Sequence, residues 1–192
     1  RIMIEGPPGS GKTTIAKAFI DKQIGKKGIY ICWNNLLMHY TKNILKVRDN
    51  TKDIEVTTFF RFIQKHNPQK TYSEITLLTE EQFYLLLKHT LTTLDKTNLY
   101  DFIVIDEGQD IFDRGLDLFI NKLCGYNENG LTNGNSLVLY DIDQSYSLGG
   151  RSVGELADLL TEYFTHFKLN EIKRSAQNPD IRLLSSVILE NP

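Results

Sequence analysis

The sequence predicts an α/β fold in three layers, with a mainly parallel β-sheet flanked by helices on both sides. Two observations predict it. Short apolar segments alternate along the chain with segments of helical spacing, and the apolar segments are almost continuous, as in strands that are covered on both faces. No internal repeat, low-complexity tract or linker divides the 192 residues, so we expect a single domain over 1–192.

The first half of the chain contains three predicted strands and three predicted helices. Each strand is a run rich in β-branched and aromatic residues, and each helix has apolar residues three or four positions apart. The third helix opens with Thr79-Glu80-Glu81-Gln82, which has the form of a capping box. In order, the elements are strand Ile2–Glu5, helix Lys12–Ile24, strand Gly28–Asn34, helix Leu36–Val47, strand Glu55–Phe59 and helix Thr79–Leu94.

The second half continues this alternation. Turn-rich segments predict loops at HNPQK, near position 68, and at GYNENGLTNGN, from 125 to 135. The elements are strand Asp101–Asp106, helix Ile111–Leu123, strand Ser136–Asp141, helix Val153–Tyr163, strand Phe164–Asn170 and helix Asp180–Leu189.

The composition excludes several classes of protein. Hydrophobic residues make up 41% and charged residues 24% of the chain, and no apolar run approaches the roughly 18 residues of a membrane span. The net charge of -2 argues against a strongly basic nucleic-acid module but leaves room for nucleic acid in a local groove. Two cysteines, Cys32 and Cys124, make no disulfide framework, so we expect a cytoplasmic protein without a membrane partner.

A glycine-rich loop after the first strand predicts a nucleotide site. GPPGSGKT, from 6 to 13, fits G-x-x-x-x-G-K-[ST] at every fixed position. Glycines let successive N–H groups turn inward around phosphate oxygens, Lys12 can reach the β- and γ-phosphates, and the Thr13 hydroxyl can bind Mg²⁺. The flanking strand and helix disfavour the alternative, a Gly-Pro surface turn. We predict ATP and Mg²⁺ as ligands, with the nucleotide bound by Gly6, Pro7, Pro8, Gly9, Ser10, Gly11, Lys12, Thr13 and Thr14.

The strand at Asp101–Asp106 ends in several acids, DFIVIDEGQD. Asp106, at the carboxyl end of a neighbouring strand, can join Thr13 as a ligand of Mg²⁺. Glu107 can then orient or deprotonate the attacking water. A solvated acidic turn is the alternative, and the phosphate loop argues against it. Asp110 is explained as a helix-start residue.

Several motifs together resemble superfamily I helicases of the UvrD/Rep type. DEGQD, from 106 to 110, resembles their D-E-x-Q-D box. LYDIDQS, from 139 to 145, resembles an apolar strand followed by G-D-x-x-Q, with Tyr140 in place of the Gly. Three further segments are similar to family motifs: LNEIKRS at 169–175 to L-x-x-N-Y-R-S, ICWN at 31–34 to a strand followed by Asn, and TFFRF at 58–62 to T-F-H-S-F.

The resemblance implies a RecA-like P-loop NTPase fold and assigns roles to three further residues. Gln144 would sense the γ-phosphate, and Arg174 would bring positive charge to it in the transition state, so that both would be catalytic together with Lys12 and Glu107. Gln109 would belong to a polar network that joins the acidic box to neighbouring motifs. The alternatives are an ordinary loop residue for Gln144 and a surface arginine for Arg174.

The resemblance also implies that single-stranded DNA or RNA lies across the top of the domain. Polar groups and stacking aromatic rings would contact it. Core packing is the alternative for the aromatic residues. The candidates are Trp33, Asn34, Thr58, Phe59, Phe60, Arg61 and Tyr146.

The chain departs from the family in three respects. The stretch between Arg61 and Asp101 leaves no room for the large inserted subdomain of UvrD-like helicases. The first residues, RIMIEG, enter a strand at once, without the upstream glutamine segment, and the chain ends soon after Arg174, without the second RecA-like domain. We expect a fragment of a longer protein, whose end at about 170–192 leads toward that second domain. Alone it should bind Mg-ATP weakly and hydrolyse it slowly.

Two functions remain open at this point. The first is the ATPase domain of a helicase or translocase that moves along single-stranded nucleic acid. The second is a helicase-like ATPase that acts as a nucleotide-dependent switch in a multidomain defence or regulatory protein, without processive unwinding. A P-loop kinase is disfavoured, because no Arg-rich lid is recognisable and Gln109, Asp141 and Gln144 would be unexplained.

Overall fold

The computed structural model describes residues 1–45, 53–95, 97, 99–124, 129–144 and 153–170. Within these ranges the chain forms one β-sheet with helices between the strands. None of the helices in this part of the chain has the length and apolar character to cross a membrane. The predicted helix Asp180–Leu189 lies outside the described residues.

The sheet is built from six short parallel strands. They pair in the order β3-β2-β4-β5-β1-β6 when numbered along the chain, and every pair is parallel. This confirms the predicted α/β class with a mainly parallel sheet. The strands are β1 (Ile2–Glu5), β2 (Gly28–Cys32), β3 (Ile54–Thr58), β4 (Phe102–Ile105), β5 (Ser136–Tyr140) and β6 (Thr165–Lys168).

The order of the strands brings the predicted motifs together. The carboxyl ends of parallel strands lie along one edge of a sheet, where α/β folds bind their ligands. β5 lies between β1 and β4, so the segment that follows β5 falls between the phosphate loop and the acidic turn. β2 and β3 end farther along the same edge.

Helices connect the strands, with short 3-10 helices at Gly108–Asp110, Phe112–Arg114 and Ile142–Gln144. The predicted capping box is confirmed at α5, because the Thr79 and Gln82 side chains each accept a hydrogen bond from the other residue's N–H. The described helices are α1 (Lys12–Asp21), α2 (Asn35–Ile44), α3 (Phe59–Lys65), α4 (Tyr72–Thr76), α5 (Glu80–Thr93), α6 (Leu116–Leu123), α7 (Gly130–Asn133) and α8 (Val153–Thr161).

Apolar residues fill the space on both faces of the sheet, since alternate residues of a strand point to opposite sides. On one face Ile31 belongs to a core that contains Phe83 of α5 and Phe119 of α6. On the other face Tyr30 belongs to a separate core that contains Ala16 of α1. The two cores, with the sheet between them, confirm the three-layer arrangement.

The structure differs from the predictions where helices begin. The predicted strand Glu55–Phe59 ends at Thr58, because the Thr58 hydroxyl accepts a hydrogen bond from the N–H of Arg61 at 3.2 Å and so caps α3. The predicted strand Gly28–Asn34 ends at Cys32 for the same reason, since Asn34 caps α2. Neither α3 nor α4 is predicted from the sequence.

The structure also differs from the predictions in the segment from 110 to 133. The predicted helix Ile111–Leu123 is divided at Gly115, whose φ of 85° lies in the left-handed region. Asp110 lies in the preceding 3-10 helix, so it does not cap α6 as predicted. α7 lies inside the segment predicted to be a loop.

Candidate active site

The phosphate loop lies between β1 and α1 at the carboxyl edge of the sheet. Gly9 and Gly11 have φ angles of 78° and 103°, which residues with a Cβ rarely adopt. Gly6 is required by close approach instead, because a Cβ there would lie 2.7 Å from Ser10 Oγ. The path of the loop therefore depends on its glycines.

Lys12 begins α1, and its ammonium lies against the phosphate loop. Its side chain is buried, and Nζ donates to the carbonyl oxygens of Gly6 and Pro7, the latter at 3.2 Å. Ser10 Oγ is buried and has no hydrogen-bond partner among the described residues. An ammonium, an unpartnered hydroxyl and the N-terminus of a ten-residue helix together suit phosphate oxygens.

Asp106 follows β4 and is buried at the same edge, with 3% of its surface exposed. Its Oδ2 accepts a hydrogen bond from the Tyr30 hydroxyl at 2.7 Å, and its Oδ1 accepts one from the N–H of Glu107 at 3.2 Å. Burial raises the pKa of Asp106 to about 6, against the lowering effect of the Tyr30 hydrogen bond. Tyr30, on the neighbouring strand β2, thus orients the predicted metal ligand.

Glu107 has a strained backbone. Its φ of 57° is positive, which among the described residues is otherwise seen only in glycines and costs a non-glycine residue about 1–2 kcal/mol. Gly108 lets the turn pack against β5, since a Cβ there would lie 3.0 Å from Val138 Cγ1. Strain of this kind concentrates at functional sites, which marks Glu107 as a candidate for chemistry.

A line of hydrogen bonds leads from Glu107 to Gln144. Gln109 Nε2 donates to Glu107 Oε2 at 2.7 Å, and Gln109 Oε1 accepts from the N–H of Asp141 at 3.1 Å. Gln144 Nε2 in turn donates to Asp141 Oδ2 at 2.8 Å. Gln109 and Asp141 are buried, whereas Gln144 is exposed. Gln109 thus lies in the kind of polar network that the resemblance implies.

The predicted nucleotide residues other than Gly6 and Pro7 open onto one cleft. Every residue from 8 to 14 lines it, together with Asp106 and Glu107 and with exposed apolar side chains of α2, Leu36 and Tyr40. Asp141 and Gln144 do not line the cleft. They are connected to it through Gln109, which bonds to Glu107 in the wall of the cleft. The cleft therefore brings the phosphate loop and the acidic turn to a common space.

Thr13 and Asp106 fit a magnesium ion that is bound together with a nucleotide. Both supply oxygen atoms, the ligands that Mg²⁺ prefers, and both line the cleft beside Lys12. Within the described ranges, no group of three or more His, Cys, Asp and Glu side chains could hold a metal ion.

The polar residues predicted to contact nucleic acid take part in local hydrogen bonds. Asn34 is exposed, and its Oδ1 accepts from the N–H of Leu37 at 2.9 Å. Thr58 is fully buried as the cap of α3. Arg61 is exposed, and its Nε donates to Asn35 Oδ1 at 2.6 Å, which links the first turns of α3 and α2.

The aromatic candidates form a cluster at the same place. Phe59 and Phe60 are buried, with 0% and 7% of their surface exposed, and Trp33 is half-buried. The Trp33 and Phe60 rings lie 5.3 Å apart between centroids. Of the three residues, Trp33 is the most exposed. Tyr146 lies outside the described residues, as does Arg174.

Tyr140 stands where the family motif has glycine. Its hydroxyl donates to Glu5 Oε2 at 3.3 Å and forms a hydrogen bond with His166 Nε2 at 2.8 Å. These contacts join β5 to β1, the strand that leads into the phosphate loop, and to β6 on the far side of β1. The departure from the motif is therefore accommodated by a hydrogen-bonded side chain.

Sequence reasoning missed three residues that shape this edge. Tyr30 bonds to Asp106, Gly108 allows the turn after Glu107, and Arg114 lies over the Trp33 ring at 5.5 Å. A hydroxyl inside an otherwise apolar strand was the available signal for Tyr30. Arg114 carries no such signal, because its contacts come from the residue that follows β2 and from α3 and α5.

The parallel sheet and the loop at its carboxyl edge define a RecA-like α/β fold. Structures of Pif1 helicases match over 97% of this chain. Bacteroides Pif1 bound to single-stranded DNA matches at 16% identity with a TM-score of 0.45. A structure of two coordinating Pif1 helicases at forked double-stranded DNA matches at 15% identity with a TM-score of 0.47. Bacteroides Pif1 in complex with ADP-AlF4 matches at 16% identity with a TM-score of 0.43.

This chain spans only 42–43% of the length of those Pif1 chains. No protein-family model matches the chain, and neither does a curated protein.

Proposed function

We propose that this chain is the ATP-binding and hydrolysing domain of a superfamily I DNA or RNA helicase or translocase. One observation carries the proposal: Lys12, Asp106 and Glu107 line a single cleft, from which Gln109 leads to Asp141. We further propose that 1–192 is one domain and that it works with a second RecA-like domain elsewhere in the same protein. A motor needs both, since closure of the cleft between them produces the step.

The phosphate loop binds the nucleotide in this proposal. Backbone N–H groups of the loop and the N-terminus of α1 bind phosphate oxygens, and Lys12 exchanges its bonds to Gly6 and Pro7 for bonds to the β- and γ-phosphates. Thr13 and Asp106 hold Mg²⁺, which when bound offsets the negative charge of the phosphates. Tyr30 keeps the Asp106 carboxylate in place through its hydroxyl.

The acidic turn carries out hydrolysis in this proposal. Glu107 orients the attacking water and accepts its proton, with its carboxylate held by Gln109 at 2.7 Å. Gln144 senses the γ-phosphate, and its bond to Asp141 transmits the change to Gln109 and the turn. Arg174 supplies positive charge to the γ-phosphate as the bond breaks.

Single-stranded DNA or RNA is the proposed partner at the ends of β2 and β3. The exposed side chains there, Asn34 and Arg61, suit a phosphate backbone, and the half-buried Trp33 offers ring surface to a base. Thr58 and Phe60 support this surface from beneath, as a helix cap and as a core residue.

ATP hydrolysis by the full-length protein, measured alone and with oligo(dT) or oligo(U), tests the proposal. We expect hydrolysis to rise several-fold with at least one of the two strands, and to be lost in a Lys12→Ala variant under all conditions. Hydrolysis that neither strand stimulates would contradict the motor and would support a nucleotide-dependent switch. Parental hydrolysis in Lys12→Ala would overturn the assignment of the phosphate loop.

A further inference from the structure

Arg114 occupies an unusual position for a charged side chain. Its guanidinium carbon lies 5.5 Å from the ring centroid of Trp33, 5.7 Å from that of Phe60 and 5.9 Å from that of Phe83. Its Nε is buried and has no hydrogen-bond partner among the described residues. The aromatic rings therefore provide its immediate surroundings, which suits the planar guanidinium of arginine better than the ammonium of lysine.

The backbone of Arg114 belongs to the connection that carries the acidic turn. Two successive 3-10 helices, Gly108–Asp110 and Phe112–Arg114, follow Glu107 directly. Arg114 also acts electrostatically on two acids of this connection. Burial raises the pKa of Asp110 to about 6, with a further contribution from Glu107, and Arg114 opposes that rise. Burial likewise raises the pKa of Asp113, and Arg114 again opposes it.

The ring of Trp33 belongs to the other region of the edge. It follows β2 and precedes Asn34, the cap of α2. One face of the aromatic cluster is thus in contact with Arg114, while Trp33 remains partly open to solvent. Arg114 contacts Trp33 and belongs to the connection that follows Glu107. It therefore links the candidate nucleic-acid surface to the candidate nucleotide site.

We propose that Arg114 is a positioning residue that ties the Glu107–Arg114 connection to the Trp33 ring. A nucleic-acid base that stacks on Trp33 then shifts the Arg114 guanidinium on that ring. The shift changes the positions of Glu107 and Gln109, which belong to the same connection. Binding at the ends of β2 and β3 thereby alters hydrolysis at the phosphate loop. This inference rests on the proposed function, and it adds a route between the two sites that bypasses Gln144.

The test uses Arg114→Met, which keeps the length of the side chain without its charge, and Arg114→Lys, which keeps the charge without the planar group. ATP hydrolysis is measured with and without oligo(dT), and oligo(dT) binding separately. In Arg114→Met we expect stimulation of kcat to fall by about fivefold or more, with basal kcat and the KM for ATP changed much less. Arg114→Lys should recover only part of the stimulation. Lys88→Met, an exposed residue of α5, is the control for loss of one charge.

Fluorescence of the 192-residue chain gives a second readout, because Trp33 is the only tryptophan in these residues. Arg114→Met should raise the quenching of Trp33 by acrylamide, since the guanidinium no longer covers the ring. In a double-mutant cycle, Arg114→Met should have little further effect on stimulation in a Trp33→Phe background. Additive effects of the two changes would overturn the inference, as would full stimulation in Arg114→Met.

The inference and the proposed function can fail separately. A parent protein that is stimulated by oligo(dT), together with an equally stimulated Arg114→Met, overturns the inference and leaves the proposed function intact. A parent protein that hydrolyses no ATP, or whose hydrolysis neither oligo(dT) nor oligo(U) stimulates, overturns both. If Arg114→Met does not fold, Arg114→Lys decides the question, since full stimulation in that variant would contradict the role of the planar group.

Discussion

The two halves of the sheet's carboxyl edge use their polar side chains in opposite ways. At the ends of β1, β4 and β5, the predicted side chains line a shared cleft or bond to one another, as Gln109 does to Glu107. At the ends of β2 and β3, Asn34 and Thr58 bond to the first turns of the helices that they precede. The first half is built as a site, whereas the second is built largely as two helix starts.

The difference follows from how many positions each motif constrains. The phosphate loop requires several glycines and a lysine at fixed spacing, and its glycines adopt backbone conformations that few other residues tolerate. A single Asn or Thr before a helix is already explained by capping, which contributes about 1 kcal/mol without any ligand. Isolated matches to a family motif therefore predict local structure more directly than they predict a contact with a ligand.

Among the substitutions that test this contrast between the two halves of the edge, Glu107→Gln is expected to have the largest effect on hydrolysis. The amide keeps the size of the side chain but cannot accept a proton from water, so kcat should fall by about 10²–10⁴-fold while ATP affinity changes little. Steady-state hydrolysis and binding of a fluorescent nucleotide measure the two quantities. Asp110→Asn, in the same turn, is the matched control and should retain most of the activity. A Glu107→Gln protein as fast as its parent would show that Glu107 is not the base.

Much of the first half of the edge could be predicted from the sequence. The strand before Gly6 and the helix start at Lys12 lie where predicted, and the strand before Asp106 lies within its predicted bounds, one residue shorter at each end. Each depends on a local pattern, either an apolar run or a glycine-rich loop of fixed spacing. A polar network that joins Gln109 to neighbouring motifs is implied only by the family resemblance, and its partner Asp141 is known only from the structure.

The remainder could not be predicted because it depends on how distant segments are placed. Tyr30 meets Asp106 only because β2 lies beside β4 in a particular register. Phe59 continues a run typical of a strand, and the Thr58 cap nevertheless starts a helix there. Arg114 meets Trp33 through the packing of a 3-10 helix against the end of β2, which no local pattern indicates.

An intermediate effect is expected from Gln109→Met, which breaks the line of hydrogen bonds inside the first half. Glu107 loses the donor that holds its carboxylate, so kcat should fall by about tenfold, equivalent to about 1.4 kcal/mol. The N–H of Asp141 loses its acceptor in a buried place, so the free energy of unfolding should fall by about 1–3 kcal/mol. Hydrolysis and denaturant unfolding measure these effects, with the exposed Gln69→Met as control. An unchanged kcat would show that the hydrogen bond from Gln109 to Glu107 is not needed for hydrolysis.

The smallest effect is expected from Thr58→Ala, in the second half of the edge. Because the hydroxyl caps α3 and the side chain is fully buried, the free energy of unfolding should fall by about 1 kcal/mol. Thr58→Ser keeps the hydroxyl and should keep most of the stability. Denaturant unfolding measures this, and oligo(dT) binding should be equal in both variants. If Thr58→Ala weakened oligo(dT) binding and Thr58→Ser restored it, the cap would be needed to hold Arg61 for the ligand. The first turn of α3 would then be part of a binding site, and the contrast between the two halves would disappear.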